Sequence, residues 1–371
     1  MTNTAVVASR PRRALHALLE PRPKLALKIV ISATLVAWLV YSTDRHALAD
    51  AVLDVDLSTA VLAVAVLFVL IGVQAWRWTF VARALGVSLP LVPAWLISQI
   101  GAFFNQVLPS SIGGDAVRVW RLRRRGVGTG LALSSVVLDR VVALVGTILI
   151  VAFGLPWLLS WMDTDALRAG IVAVVGVGAA GVTALLLADR VRLVRRLAGV
   201  RALARVLQVP ALARRVLLKP RTALPTLALS VLIQLGVALS VWLLARATGV
   251  DLAWAETAFL VPVVMLFSMV PITIAGWGVR EGAMVVALGT VGIGREEALA
   301  VSVLYGFAIA IAALPGGLIW IATGRSSTMP SGPHSPRAPN RFRPIVSRDR
   351  CVEAGDPSEN IPSATREVDH W

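Results

Sequence analysis

Cysteine occurs once in the 371 residues, at Cys351, and histidine four times, at His16, His46, His334 and His370, all outside the long apolar runs. A disulfide within the chain is therefore excluded, and so is a His/Cys metal site or a Cys/His nucleophile pair inside those runs. The sequence has no phosphate-binding loop of the form GxxxxGKS or GxxxxGKT, so no nucleotide-driven step, metal or cofactor is expected. Charge is scarce as well: 15% of residues are charged against 57% hydrophobic, with a mean hydropathy of +0.77. Soluble domains carry about 25% charged residues, so the composition is that of an integral membrane protein. The apolar residues come in runs of about 20 rather than in alternating ten-residue segments, which excludes a β-barrel and leaves an all-α, polytopic helical bundle.

The formal charge of +15 points away from nucleic acid once it is located. The segment 325–371 carries seven basic and six acidic residues, leaving 29 basic and 15 acidic before it. The excess lies between apolar runs, where basic loops set orientation and meet anionic membrane lipids. Residues 1–24 read as a basic cytoplasmic tail, and 325–371, rich in Ser, Pro and Arg, as a disordered cytoplasmic one. The apolar runs are 25–42, 57–76, 89–112, 129–157, 167–188, 223–245, 257–291 and 298–322. The first is longer than a signal-peptide core and reads as a retained helix. The Arg-rich stretch 190–221 suits a helix lying on the anionic leaflet.

Counting charges in the connectors gives the topology. Segments 1–28, 77–83, 118–126 and 189–221 hold 23 basic and two acidic residues, whereas 43–57, 158–168, 246–256 and 292–297 hold four basic and ten acidic. The first set is expected to be cytoplasmic, with both termini, in the cell membrane. Run 89–112 then has cytoplasmic charge on both sides and run 257–291 has the external set on both sides. Each is expected to enter and return as a re-entrant hairpin of broken helices, leaving about six full crossings.

The two non-crossing runs contain similar peptides. Residues 109–118 (PSSIGGDAVR) and 271–280 (PITIAGWGVR) align without gaps, matching at Pro109/Pro271, Ile112/Ile274, Gly114/Gly276, Val117/Val279 and Arg118/Arg280. The same spacing carries the flanking helices onto one another, so 57–157 and 223–322 read as an inverted repeat. Gly/Pro-interrupted segments at matching places in oppositely oriented halves are the best sequence pointer to a transport site. Proline and glycine free backbone groups that lipid cannot satisfy, so such breaks are expected around a polar cavity. Gly113, Gly114, Gly276 and Gly278 could then present N–H groups to an anion, with Arg118 and Arg280 adding charge. Asp115, Glu281 and the intramembrane pair Asp139 and Arg140 accompany them, and Asn105 precedes the first break. An intramembrane ion is a site candidate by default, although Asp139 fits an internal ion pair as readily. The tryptophans near run ends, Trp76 and Trp78 among them, are expected at the headgroup level.

With these motifs the chain resembles the lysylphosphatidylglycerol synthase transmembrane-region family of flippase-like membrane proteins. Asn105, Pro109, Gly113 to Arg118, Asp139, Arg140, Pro271, Gly276, Gly278, Arg280 and Glu281 carry the resemblance, over residues 25–325. It implies a stand-alone transmembrane domain, 25–324, that moves a phospholipid or lipid-linked substrate between leaflets, a transporter rather than an enzyme. The soluble synthase domain of bifunctional members is not expected here, so synthase activity is not inferred. The alternatives are an intramembrane lipid-modifying transferase using Asp139 or Glu281 as a base, and a membrane scaffold for a separately encoded lipid-synthesis enzyme.

Overall fold

The computed structural model describes residues 55–108, 113–162, 164–188, 209–268 and 278–325. The apolar run 25–42, both tails and the central residues of the two break peptides lie outside them. Among the described residues all regular structure is helical. The helices are α1 (Leu57–Ala84), α2 (Leu91–Val107), α3 (Gly113–Arg124), α4 (Thr129–Ser160), α5 (Asp165–Leu187), α6 (Val209–Leu217), α7 (Pro220–Ala247), α8 (Trp254–Ser268), α9 (Val279–Gly289) and α10 (Arg295–Arg325). Five of them, α1, α4, α5, α7 and α10, are long and apolar enough to cross a membrane, as expected of the runs they contain. Large apolar side chains such as Phe153, Leu224 and Leu318 stand exposed on them, as lipid contact requires.

Each non-crossing run is two short helices about a break. The pairing of α2 with α3 is antiparallel, because Asn105 meets Gly114 at one level and Gly101 meets Arg118 a turn further. The pair α8 and α9 likewise packs side by side. The order long, short, short, long thus occurs twice, as α1 to α4 and as α7 to α10.

The turns repeat with the helices. Gly86 and Gly249 end α1 and α7 with φ of 77° and 75°, and Gly126 and Gly292 end α3 and α9 with φ of 85° and 83°. At each of the four, the glycine and the residue after it donate back to carbonyls of the last turn, as Gly86 N–H does to Arg83 and Val87 N–H to Ala82. That closure satisfies orphan carbonyls and needs a left-handed residue, which glycine adopts without strain. The two sets run in opposite directions. Asp56 N–H donates to the Ala247 carbonyl (2.8 Å), Leu70 lies against Gly236, and Arg77 reaches Ser230, so α1 and α7 are antiparallel neighbours. The bundle is an inverted repeat.

Lipid tails offer no hydrophobic drive to join helices, so close backbone approach at small residues does much of the work. A Cβ on Gly114 would stand 2.0 Å from the Gly101 carbonyl oxygen, and one on Gly316 2.0 Å from that of Gln99. The first contact closes the α2–α3 hairpin and the second seats α2 on α10. At the start of α1, Asp56 caps the helix, and hydrogen bonds from Thr59 and Ser58 hold its carboxyl below the usual range. The basic stretch 190–221 is described only from residue 209. There α6 buries Pro210, Ala213 and Val216 against the bundle.

Gly114→Ala is expected to destabilise the protein by about 1–3 kcal/mol, the usual cost of overpacking. Gly282→Ala, where an added Cβ meets nothing within 4 Å, serves as the control. Thermal unfolding of the detergent-solubilised variants, with a lower Tm for the first and an unchanged Tm for the second, checks this.

Candidate functional site

The first break ends where α3 begins, and the residues around it order themselves from the backbone outward. Gly113 opens α3 over the side chain of Leu108. Asn105 Oδ1 accepts from the Gly114 N–H at 2.9 Å, so an amide of α2 satisfies a donor that the start of α3 leaves open. Asp115 follows in the first turn, where the helix dipole favours a carboxylate. One turn on, Arg118 lays its stem against Gly101 and its guanidinium over the Trp78 ring, 4.1 Å from the centroid.

From Arg118 a line of alternating charges crosses three helices. Arg118 Nη2 donates to Asp139 Oδ2 at 2.9 Å, and Arg77 Nε donates to Asp139 Oδ1 at 3.0 Å. Arg77 Nη1 donates in turn to Ser230 Oγ on α7 at 3.0 Å. On the other side Asp115 takes both Nε and Nη2 of Arg140, at 2.9 and 3.1 Å, while Arg118 Nη1 lies 3.4 Å from it. The bidentate fork on Asp115 is the geometry that suits guanidinium to a carboxylate or a phosphate. The side chains of Asp139 and Arg118 are 0% and 3% exposed, whereas that of Arg140 is 43% exposed.

That difference decides what each can touch. Arg140 and Asp115 stand in the wall of a cleft of about 850 Å³ between α3 and α4, whose lining also includes Trp120, Arg123, Leu133 and, from the last turn of α8, Ser268. The cleft is apolar along most of α4 and charged at the Asp115–Arg140 level. Arg118, expected to face a cavity, is instead packed behind that wall.

The second break presents a different group. Glu281, buried in the first turn of α9, accepts from the Gly278 N–H and from Arg280 Nε (3.1 Å) and Nη2. Gly278, with φ of 90°, turns the chain into the helix. The guanidinium of Arg280 lies 5.5 Å from the centroid of the Tyr305 ring on α10. Gly276 lies outside the described residues. Arg118 and Arg280 are therefore both buried, each in its own surroundings, and the expected shared pocket is not where the structure puts its large cleft. A smaller, almost wholly apolar groove of about 420 Å³ runs beside α9, between α5 and α8.

Three participants escaped the sequence reading. Arg77 was grouped with the connector 77–83 and Trp78 with the headgroup belt, yet both are buried in α1. Their helix is not finished at residue 76: it runs on to Ala84, before the turn at Gly86. The sequence ALGV at 84–87, echoed as ATGV at 247–250, is the signal that would have extended it. Ser230 carries no such mark.

Five membrane-length helices around two broken-helix hairpins, related as an inverted repeat, define a multi-pass helical membrane protein. The chain matches the model of the Lysylphosphatidylglycerol synthase TM region over residues 25–317. It belongs to that family. No curated protein matches it.

Asp139→Asn is expected to cost about 3–5 kcal/mol, because Arg77 and Arg118 would keep buried charges with no carboxylate between them. Asp115→Asn, which leaves Arg140 half open to the cleft, is expected to cost less, about 1 kcal/mol. Chemical or thermal unfolding in detergent, with the larger loss at Asp139, checks the order.

Proposed function

We propose that this protein moves a phospholipid or lipid-linked amphiphile between the leaflets of the cell membrane, through the cleft between α3 and α4. The observation that carries the reading is the Arg140–Asp115 fork, half open on a membrane-spanning helix, in the wall of a cleft that is otherwise largely apolar. A charge at that depth costs about 2.5–3.5 kcal/mol on insertion scales and is retained where a cavity or partner uses it. In this reading a headgroup phosphate takes the place of Asp115 on the Arg140 fork, while an acyl chain lies along the apolar face of α4 around Leu133. Arg118 acts as a positioning residue: with Asp139 and Arg77 it holds the back of the wall. In this reading both termini face the cytoplasm, which the excess of basic residues in one set of connectors supports.

Arg140→Ala is expected to slow leaflet exchange of a fluorescent phospholipid in proteoliposomes at least about tenfold, the loss for one charge-assisted contact made in the transport step, while Tm shifts by only a few degrees. Dithionite quenching of the outer leaflet measures the exchange. Exchange by the wild-type protein no faster than in protein-free liposomes would overturn the reading.

A further inference from the structure

The charges that line the cleft do not balance. Among the described residues, its wall holds two guanidinium groups, Arg123 and Arg140, and one carboxylate, Asp115. The network behind it has the same excess, with Arg77, Arg118 and Arg140 against Asp115 and Asp139. The undescribed peptides at the two breaks, 109–112 and 269–277, contain no ionisable side chain. Arg118 Nε, moreover, is buried with no hydrogen-bond partner, so the network has donor capacity beyond its acceptors. In a site walled by hydrocarbon, an unbalanced positive charge is far less screened than in water.

Resting on the reading of the cleft as a lipid path, we infer that the headgroup it accepts carries net negative charge: a phosphodiester without a compensating amine. A cationic lysyl headgroup would bring like charge to Arg123 and Arg140, and Asp115, released when the phosphate takes the fork, would meet only one of its two amines. A zwitterionic headgroup would leave the excess in place. The lipid, rather than free phosphate, is the occupant because the α4 side of the cleft offers Leu133, Val137 and Leu144 to an acyl chain. This goes beyond transport as such. It sets the chain apart from a carrier of lysylphosphatidylglycerol, whose lysyl amines outweigh its phosphate.

The test is lipid retention, read by native mass spectrometry of the full-length protein in detergent doped with equal amounts of phosphatidylglycerol, phosphatidylcholine and lysylphosphatidylglycerol. Each basic residue near an anionic headgroup contributes about 1 kcal/mol, roughly fivefold, so reversing the net charge of the headgroup is expected to change retention about twentyfold in favour of phosphatidylglycerol. Arg140→Gln is expected to reduce the preference at least about fivefold, Arg140→Lys to keep most of it, and Asp115→Asn to sharpen it. Should Arg140→Gln fail to fold, Arg123→Gln, at an exposed position, is expected to reduce the preference about fivefold. Inorganic phosphate at the same concentration is expected not to displace the lipid.

Equal retention of the three lipids, a preference for the cationic one, or displacement by inorganic phosphate overturns the inference. The outcome is separable from that of the transport reading. Leaflet exchange with no headgroup preference would leave transport standing and end the anionic assignment. Retention of phosphatidylglycerol without exchange would do the reverse.

Discussion

One carboxylate holds the first half of this protein together. Asp139 is fully buried in a helix that crosses the membrane, and each of its oxygens takes a guanidinium hydrogen bond, from Arg77 of α1 and from Arg118 of α3. None of these groups could remain charged alone at that depth, so the pairing fixes the rotation of three helices about their axes at once. Arg77 passes the constraint to α7 through Ser230. Here the ion cluster does what small residues do elsewhere in the bundle: it specifies which helix faces meet where lipid exerts no preference.

The cleft follows from that constraint. Consecutive residues of an α-helix point about 100° apart, so with Asp139 turned into the bundle, Arg140 must face the gap beside α3. There Asp115, at the start of α3, meets it, because both residues lie about equally far from the glycine turn that joins the two helices. The wall is therefore charged at the Asp115–Arg140 level and again at Arg123, and apolar along most of α4. Trp120 and Arg123 line the same gap toward the end of α3, where Arg124 stacks on Trp120 at 4.3 Å and Arg121 lies 4.8 Å from the Trp320 ring.

Much of this was legible in the sequence, and for identifiable reasons. Runs of apolar residues long enough to cross became α1, α4, α5, α7 and α10 because hydropathy measures the one property a lipid-facing helix cannot do without. The breaks were legible because Pro109 and its counterpart Pro271 sit inside otherwise continuous runs, with like charge on both flanks. Arg77 and Trp78 were not legible, because they fall just past the end of an apolar run, and the inward turn of Arg118 was not, because nothing local distinguishes a cavity from a buried partner. Only a partner distant in sequence, 62 residues away for Arg77 and Asp139, turns such a residue into a core group. Which of two adjacent charges faces the cleft is likewise a matter of helix rotation, which the local sequence does not encode.

The two halves share a backbone plan but not a distribution of charge. Asp139 and Tyr305 each lie ten residues after the first residue of their helix, Thr129 in α4 and Arg295 in α10. Each meets the arginine of its own hairpin, Arg118 or Arg280. In the first half the arginine finds its carboxylate there. In the second it finds an aromatic ring, and a carboxylate comes from the next residue, Glu281. A pair made by neighbours on one helix moves with that helix, whereas parting α3 from α4 means drawing Asp139 away from Arg118 in a medium of low dielectric. The first hairpin is in this way braced to the first helix of both halves, and the cleft is built on the braced side. The two halves thus differ in how they hold their arginine, with a tyrosine standing in α10 where α4 has an aspartate.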